Sequence, residues 1–231
     1  MAPSGTAAGH GLFITIEGPE GGGKTTQAER LRDQLAARHV RAHLTREPGG
    51  TWLGERIREL LLARTGSAAA ATDPLTDALL FNAARHQLVG EVIAPTLAAG
   101  TTVICGRFAD STLAYQGYGA GVPLEDLRRL TAIATGGLAP DLTILLDLPV
   151  EVGLARKAPG DVTRFEAEFD LAFHRRVRAG FLALAASEPE RFVVVDATRD
   201  VEAVAADVAH AVEPLLPVVN EPESSIVRST S

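Results

Sequence analysis

The sequence predicts an α/β domain: a five-stranded parallel sheet with helices on both faces and a short lid segment. Three observations carry the prediction. The first is Gly18-Pro19-Glu20-Gly21-Gly22-Gly23-Lys24-Thr25-Thr26, which fits the Walker A pattern G-x-x-x-x-G-K-[ST] at every fixed position. The second is its setting, an apolar β-branched run before it and a helical pattern after it. The third is the regular alternation of short apolar runs with segments of helical period along the chain, the signature of a parallel sheet covered on both sides. Together they predict a P-loop NTPase fold, with the active edge at the carboxyl ends of the strands.

Leu12 to Ile16 is the first strand, its apolar run implying burial on both faces. In the loop that follows, glycines let the backbone wrap a phosphate chain while free N–H groups point inward. Lys24 is spaced to reach the terminal phosphates, and the Thr25 hydroxyl to ligate magnesium. A glycine-rich turn that binds nothing is the alternative. Ala28, Leu31 and Leu35 then mark one buried helix face.

Val40 to Leu44 reads as the second strand, followed by the turn-rich Thr45-Arg46-Glu47-Pro48-Gly49-Gly50-Thr51. Arg46, beside the P-loop, is placed either to hold a second phosphate or to form a surface salt bridge. A helix with Leu53, Ile57, Leu60 and Leu61 comes next. The alanine-rich stretch Thr65 to Asp73 reads as a flexible connection, and Pro74 opens another helix. Phe81 and Arg85 share a face of it. They are either an aromatic platform and a donor fork for one planar base, or a core phenylalanine beside a surface arginine.

Thr101 to Cys105 is the third strand, and Ala114 to Gly121 a glycine-rich, aromatic loop placed to approach a ligand. A helix from Pro123 to Thr135 precedes the fourth strand, Leu142 to Leu146, which ends at Asp147 in a Walker B-like manner. Arg156 to Arg164 interrupts two helical patterns with a basic Pro/Gly-containing segment, either a lid that closes over phosphates or a solvated loop. Phe165, Phe169, Phe173, Val177, Phe181 and Leu184 keep a helical period, with Arg175, Arg176 and Arg178 on the other face. Phe192 to Val195 is the fifth strand and Val201 to Val212 the last helix. Residues 1–11 read as a flexible extension, 12–214 as one domain with its lid at about 156–164, and 215–231 as a disordered tail.

Composition narrows the function. Of 231 residues, 46% are hydrophobic and 22% charged, as in ordinary globular proteins. A net charge of -7 supplies no field that draws the chain to nucleic acid or an anionic membrane, so phosphate binding is local. The only cysteine, Cys105, excludes an internal disulfide and reads as a buried thiol suited to a reducing cytoplasm. Residues 1–10 lack the pattern of a secretion signal, and no apolar run reaches membrane-spanning length. His39 and His43 lie across a helix-to-strand change, which argues against a metal site there. A GTPase is disfavoured because no Asn-Lys-x-Asp motif is present.

In order, the P-loop, Arg46-Glu47-Pro48-Gly49-Gly50-Thr51, the Phe81/Arg85 helix, Ser111 with Ala114-Tyr115-Gln116-Gly117, and Pro140-Asp141-Leu142-Thr143-Ile144-Leu145-Leu146-Asp147 resemble the bacterial branch of the thymidylate kinases. The resemblance spans roughly Leu12 to Val212. It implies transfer of the ATP γ-phosphoryl group to dTMP with Mg2+, and a homodimer. By it, Phe81 stacks on thymine, Arg85 bonds the base edge, Arg46 and Arg107 grip the acceptor phosphate, and Tyr115 lies against the deoxyribose. Ser111 and Gln116 line that pocket, Glu20 lies near the acceptor sugar, and Asp196 and Ala197 adjoin the adenine. Gly21 stands where eukaryotic relatives carry an arginine, so the lid supplies the transition-state cation, with Arg156 and Arg164 the candidates.

Three departures accompany the resemblance. Gly106-Arg107-Phe108 replaces the family's Asp-Arg-Tyr/Phe/His, Gly117 to Gly121 lacks the usual arginine, and the lid is short. Glu17, Asp110 and Asp147 are the carboxylates that could make good the metal site, Glu17 and Asp147 as further metal candidates beside Thr25. The alternatives are a kinase for another or modified pyrimidine nucleotide, and a nucleotide-binding protein weakened in catalysis.

Overall fold

A computed structural model describes residues 10–62, 72–158 and 163–216. Strands β1 (Phe13–Glu17), β2 (Ala42–Arg46), β3 (Thr102–Gly106), β4 (Leu142–Asp147) and β5 (Phe192–Asp196) form one sheet in the order β2-β3-β1-β4-β5, every neighbouring pair parallel. The predicted five-stranded parallel sheet is thus observed. Each strand ends one or two residues later than the apolar runs suggested, because ladder partners continue past them: Arg46 pairs with Gly106, and Asp147 with Asp196. Arg46 therefore ends a strand instead of sitting in the loop.

Ile14, Ile16, Ile144 and Leu146 face α1 (Lys24–Ala37) and α10 (Val201–Val212), meeting Ala28, Leu31, Leu35, Val204 and Val208. Each leucine fully buried there contributes roughly 1.5–3 kcal/mol. The side chains that alternate with these point to the opposite face. Phe13, Val103 and Cys105 meet Leu88, Ile93, Leu97 and Phe108, while Leu145 packs with Phe173, Val177 and Phe181. Cys105 is buried, as its setting predicted.

The helices α2 (Trp52–Leu62), α3 (Pro74–Leu88), α6 (Leu124–Thr135) and α10 follow the predicted periods. Asp73 caps α3, accepting from the N–H of Leu75 at 2.9 Å and of Thr76 at 3.3 Å. The connection expected at Thr65 to Asp73 otherwise falls on residues 65–71, outside the described residues. Helix α3 continues through a π-helical turn, Val89–Ile93, into α4 (Ala94–Ala98). The aromatic period after the lid is divided into α8 (Arg164–Glu168) and α9 (Leu171–Ser187), with Asp170 capping α9 at 2.7 Å from Phe173 N.

One expectation is corrected. The stretch 114–121 is not a loop: α5 (Ala109–Thr112) runs into a π-helical segment, Leu113–Gly119. Packing decides this, since Leu113 to Gly117 are all buried, and a Cβ at Gly119 would press on Phe173 and Val177 at 2.7 Å. Helix α7 (Val150–Ala155) leads to the predicted lid, of which residues 159–162 lie outside those described. So do residues 1–9 and 217–231 of the two predicted extensions. No helix among the described residues is long and apolar enough to cross a membrane.

Candidate active site

The loops after β1, β2 and β3 converge at the carboxyl edge of the sheet on a cavity of about 460 Å³. Its donor end is the P-loop. Gly18, Gly21 and Gly23 adopt positive φ of 141°, 70° and 81°, conformations that cost a side-chain-bearing residue dearly. Residues Glu20 to Thr26 line the cavity, with Thr25 exposed in the first turn of α1. Lys24 Nζ donates to the carbonyls of Gly18 at 3.0 Å and Pro19 at 2.7 Å. Burial, then the charge of Arg107, pushes its ammonium down to about 7.

Glu20 is the junction of the site. Its Oε1 accepts from Arg107 Nη2 and from the Tyr115 hydroxyl, both at 2.7 Å, and its Oε2 lies 3.6 Å from Lys157 Nζ. Burial opposes ionisation, yet Arg107, Lys24 and Lys157 hold this carboxyl well below the usual range. Arg107 also donates to Gly18 O and to Ser111 Oγ, each at 3.2 Å, and lies over the Tyr115 ring.

The other end is floored by Phe81 and Phe165, with Thr112, Tyr115 and Gln116 beside them. Arg85 belongs to this wall but is only 1% exposed, which corrects the reading of a surface arginine. Its Nη2 pairs with Glu47 Oε2 at 2.7 Å and donates to Phe108 O at 2.9 Å. Its Nη1 donates to Asn82 Oδ1 at 2.8 Å and Thr112 Oγ1 at 3.0 Å, so the fork is held on all sides. Arg46, at the rim, pairs with Glu55 at 3.1 Å. The salt-bridge reading of Arg46 is thus observed, as a partly exposed ion pair at the cavity edge.

Not every expected residue reaches the cavity. Arg164 is turned inward: Nη2 pairs with Asp77 Oδ2 at 2.5 Å, Nε donates to Leu61 O at 2.5 Å, and the guanidinium covers Phe165. Its candidacy as the lid cation is corrected accordingly. Arg156 does line the cavity and donates to Ala197 O at 2.8 Å and Thr198 O at 3.2 Å, whereas Asp196 and Ala197 themselves are not among the lining residues.

The carboxylates proposed to help hold a metal are likewise committed elsewhere. Asp147 is clamped by Arg178 at 2.7 and 2.8 Å, and Asp110 by Arg191 at 2.8 and 3.0 Å. Glu17 is wholly buried and accepts from Phe108 N and Ser111 Oγ. Glu17 and Asp147 are therefore corrected as metal ligands. Among the described residues no cluster of three or more acidic, histidine or cysteine groups forms a metal cage.

Sequence reasoning missed Arg58, Thr112 and Glu47 and left Lys157 out of the site, although all four line the cavity. Lys157 carried a signal, as one of two lysines in the chain and the neighbour of Arg156. Arg58 carried none: its Nη1 is turned back by Pro48 O at 2.9 Å, a contact across the β2–α2 connection.

The family model described as Thymidylate kinase matches residues 16–208. The chain is 54% identical to the thymidylate kinase of Deinococcus radiodurans over 203 residues, which cover 87% of this chain and 96% of that one. It is 56% identical to the thymidylate kinase of Thermomicrobium roseum over 195 residues, 84% of this chain and 90% of that one. The crystal structure of thymidylate kinase from Ehrlichia chaffeensis superposes with a TM-score of 0.69 at 34% identity, covering 87% of this chain and 98% of that chain.

Proposed function

The chain belongs to the thymidylate kinase family, and from that premise we propose that it transfers the γ-phosphoryl group of ATP to the phosphate of dTMP, giving ADP and dTDP for dTTP synthesis. The observation that carries this reading is a single cavity that joins a P-loop to an aromatic-floored pocket, with Arg107 and Lys157 between them on Glu20.

In this reading the P-loop N–H groups and Lys24 take the ATP phosphates, Lys24 leaving its two loop carbonyls to do so. The Asp196-Ala197 turn adjoins the adenine. The acceptor base lies on Phe81, with Thr112 and Gln116 at its edge, Arg85 holding Thr112 in place, and Tyr115 and Ser111 along the sugar side. Its phosphate meets Arg107, with Arg46 and Arg58 at the rim, and Glu20 orients Arg107 and Tyr115. No covalent intermediate is required. The protein aligns two anions and neutralises the charge that spreads during transfer, using Lys24, Arg107, Arg156 and Lys157.

Mg2+ fits the donor set: the Thr25 hydroxyl opens to the cavity, and this ion is ordinarily held by few protein oxygens together with substrate phosphates. When bound it supplies charge neutralisation. The kinase domain spans 12–214 with its lid at about 156–164. Trp52 and Leu60 on α2, Leu79 on α3 and Ile133 on α6 are 51–76% exposed, which supports a homodimer packed through these helices. The lone buried thiol Cys105 suits a cytoplasmic protein.

The test is an acceptor panel of dTMP, dUMP, dCMP and UMP with ATP and Mg2+, scored by kcat/KM. dTMP should lead. Turnover of none, by a folded protein that binds ATP, would favour a nucleotide-binding protein.

A further inference from the structure

Glu17 lies outside the cavity, yet it grips the turn that aims the acceptor-side arginine. It ends β1 with its side chain wholly buried, and burial of an ionised carboxylate is costly unless something is gained from it. Here both oxygens are occupied. Oε1 accepts from the N–H of Phe108 at 2.7 Å, and Oε2 from the Ser111 hydroxyl at 2.6 Å.

These bonds flank Arg107. Phe108 is its chain neighbour, and Ser111 Oγ in turn accepts from Arg107 Nη1 at 3.2 Å. Arg107 needs such support. Its φ of 70° lies in the left-handed region, which costs a non-glycine residue roughly 1–2 kcal/mol and persists only where the surroundings over-determine it. Its own N–H donates to Ile16 O at 3.0 Å, so β1 fixes the residue from both strand-end positions, Ile16 by its carbonyl and Glu17 by its side chain. An apolar group at 17 would fill the space without supplying either acceptor.

We propose that Glu17 is a positioning residue for the acceptor phosphate: one carboxylate holds the left-handed turn at Arg107 and, through Ser111, the guanidinium that faces the cavity. The inference rests on the reading that Arg107 grips that phosphate.

The test compares binding of dTMP and of thymidine, which lacks the phosphate, by calorimetry on the full chain. Glu17→Gln can keep its oxygen on Phe108 N–H while its amide donates to Ser111 Oγ instead of accepting from it, so the charge is lost and the Ser111 contact is reversed. It should weaken dTMP binding about tenfold, the equivalent of one charge-assisted hydrogen bond, and leave thymidine and ATP binding within about twofold. In an Arg107→Ala background the same substitution should have no further effect on dTMP. Ser111→Ala, which removes the side-chain arm together with a hydroxyl on the sugar side, should weaken dTMP clearly more than thymidine and serves if Glu17→Gln does not fold.

Equal weakening of dTMP and thymidine, or full additivity with Arg107→Ala, would overturn the proposal. If Arg107→Ala itself leaves dTMP affinity intact, the phosphate role of Arg107 fails and the proposal falls with it. If Arg107→Ala weakens dTMP and neither Glu17→Gln nor Ser111→Ala does, only the role of Glu17 is wrong.

Discussion

Glu47 Oε2 and Arg85 Nη2 meet at 2.7 Å with side-chain exposures of 4% and 1%, an ion pair sealed in the acceptor wall. Two desolvated charges hold each other there, and Asn82, Thr112 and Phe108 O take the remaining donors of Arg85. Removing one partner strands the other. Glu47→Gln should therefore cost about 3 kcal/mol of folding stability, read by urea unfolding, and weaken dTMP binding with it. A loss under about 1 kcal/mol would mean that the pair is replaceable.

The P-loop and α7 touch backbone to backbone. A Cβ on Gly153 would lie 2.2 Å from Glu20 O, and one on Gly21 1.9 Å from Gly153 O. This contact fixes the base of the lid, and with it Arg156 and Lys157, over the phosphate loop; it also explains why Gly21 carries no side chain. Gly153→Ala should lift α7 and reduce ATP affinity about tenfold, with a smaller effect on thymidine. Nucleotide titrations of the variant check this.

Gly106 lines the cavity at the end of β3, and a Cβ there would meet only Arg46 Cβ at 3.7 Å and Thr45 O at 4.0 Å. There is room for the carboxylate of the family pattern. Gly106→Asp should change stability by less than about 1 kcal/mol and lower the Mg2+ concentration needed for half-maximal rate. Unchanged activity and Mg2+ dependence would show that the glycine leaves no deficit.

Burial, reinforced by Asp110, pushes the Glu17 carboxyl from 4.5 up to about 7. Between those values the folded chain keeps a proton that the unfolded chain has lost. Stability contributed by this group is therefore highest at low pH and declines as pH rises through that window, with a slope of up to about 1.4 kcal/mol per pH unit, and is flat above it. The difference in unfolding free energy between the parent and Glu17→Gln, measured from pH 5 to 8, should follow that decline. Parallel curves would contradict it.

The strands and the P-loop were legible because their signals are local: continuous apolar runs, and glycines at fixed spacing. Most of the cavity lining followed from the ordered motifs. What was misread depended on partners far along the chain. Asp147 looks like a metal acid until Arg178 closes on it, and Arg164 looks like a lid cation until Asp77 and Leu61 O draw it inward. The segment 113–119 carries loop composition, but burial against α9 winds it into a helix. Local pattern does not encode any of these contacts.

Phosphoryl transfer at the P-loop is the activity to which these residues are assigned. Its most direct test is ADP and dTDP formation from ATP, Mg2+ and dTMP by the full chain, beside Lys24→Ala. Rapid formation of both products in equal amounts is expected, with a loss of at least about a hundredfold in the variant. ADP without dTDP, or a rate unchanged by Lys24→Ala, would contradict it.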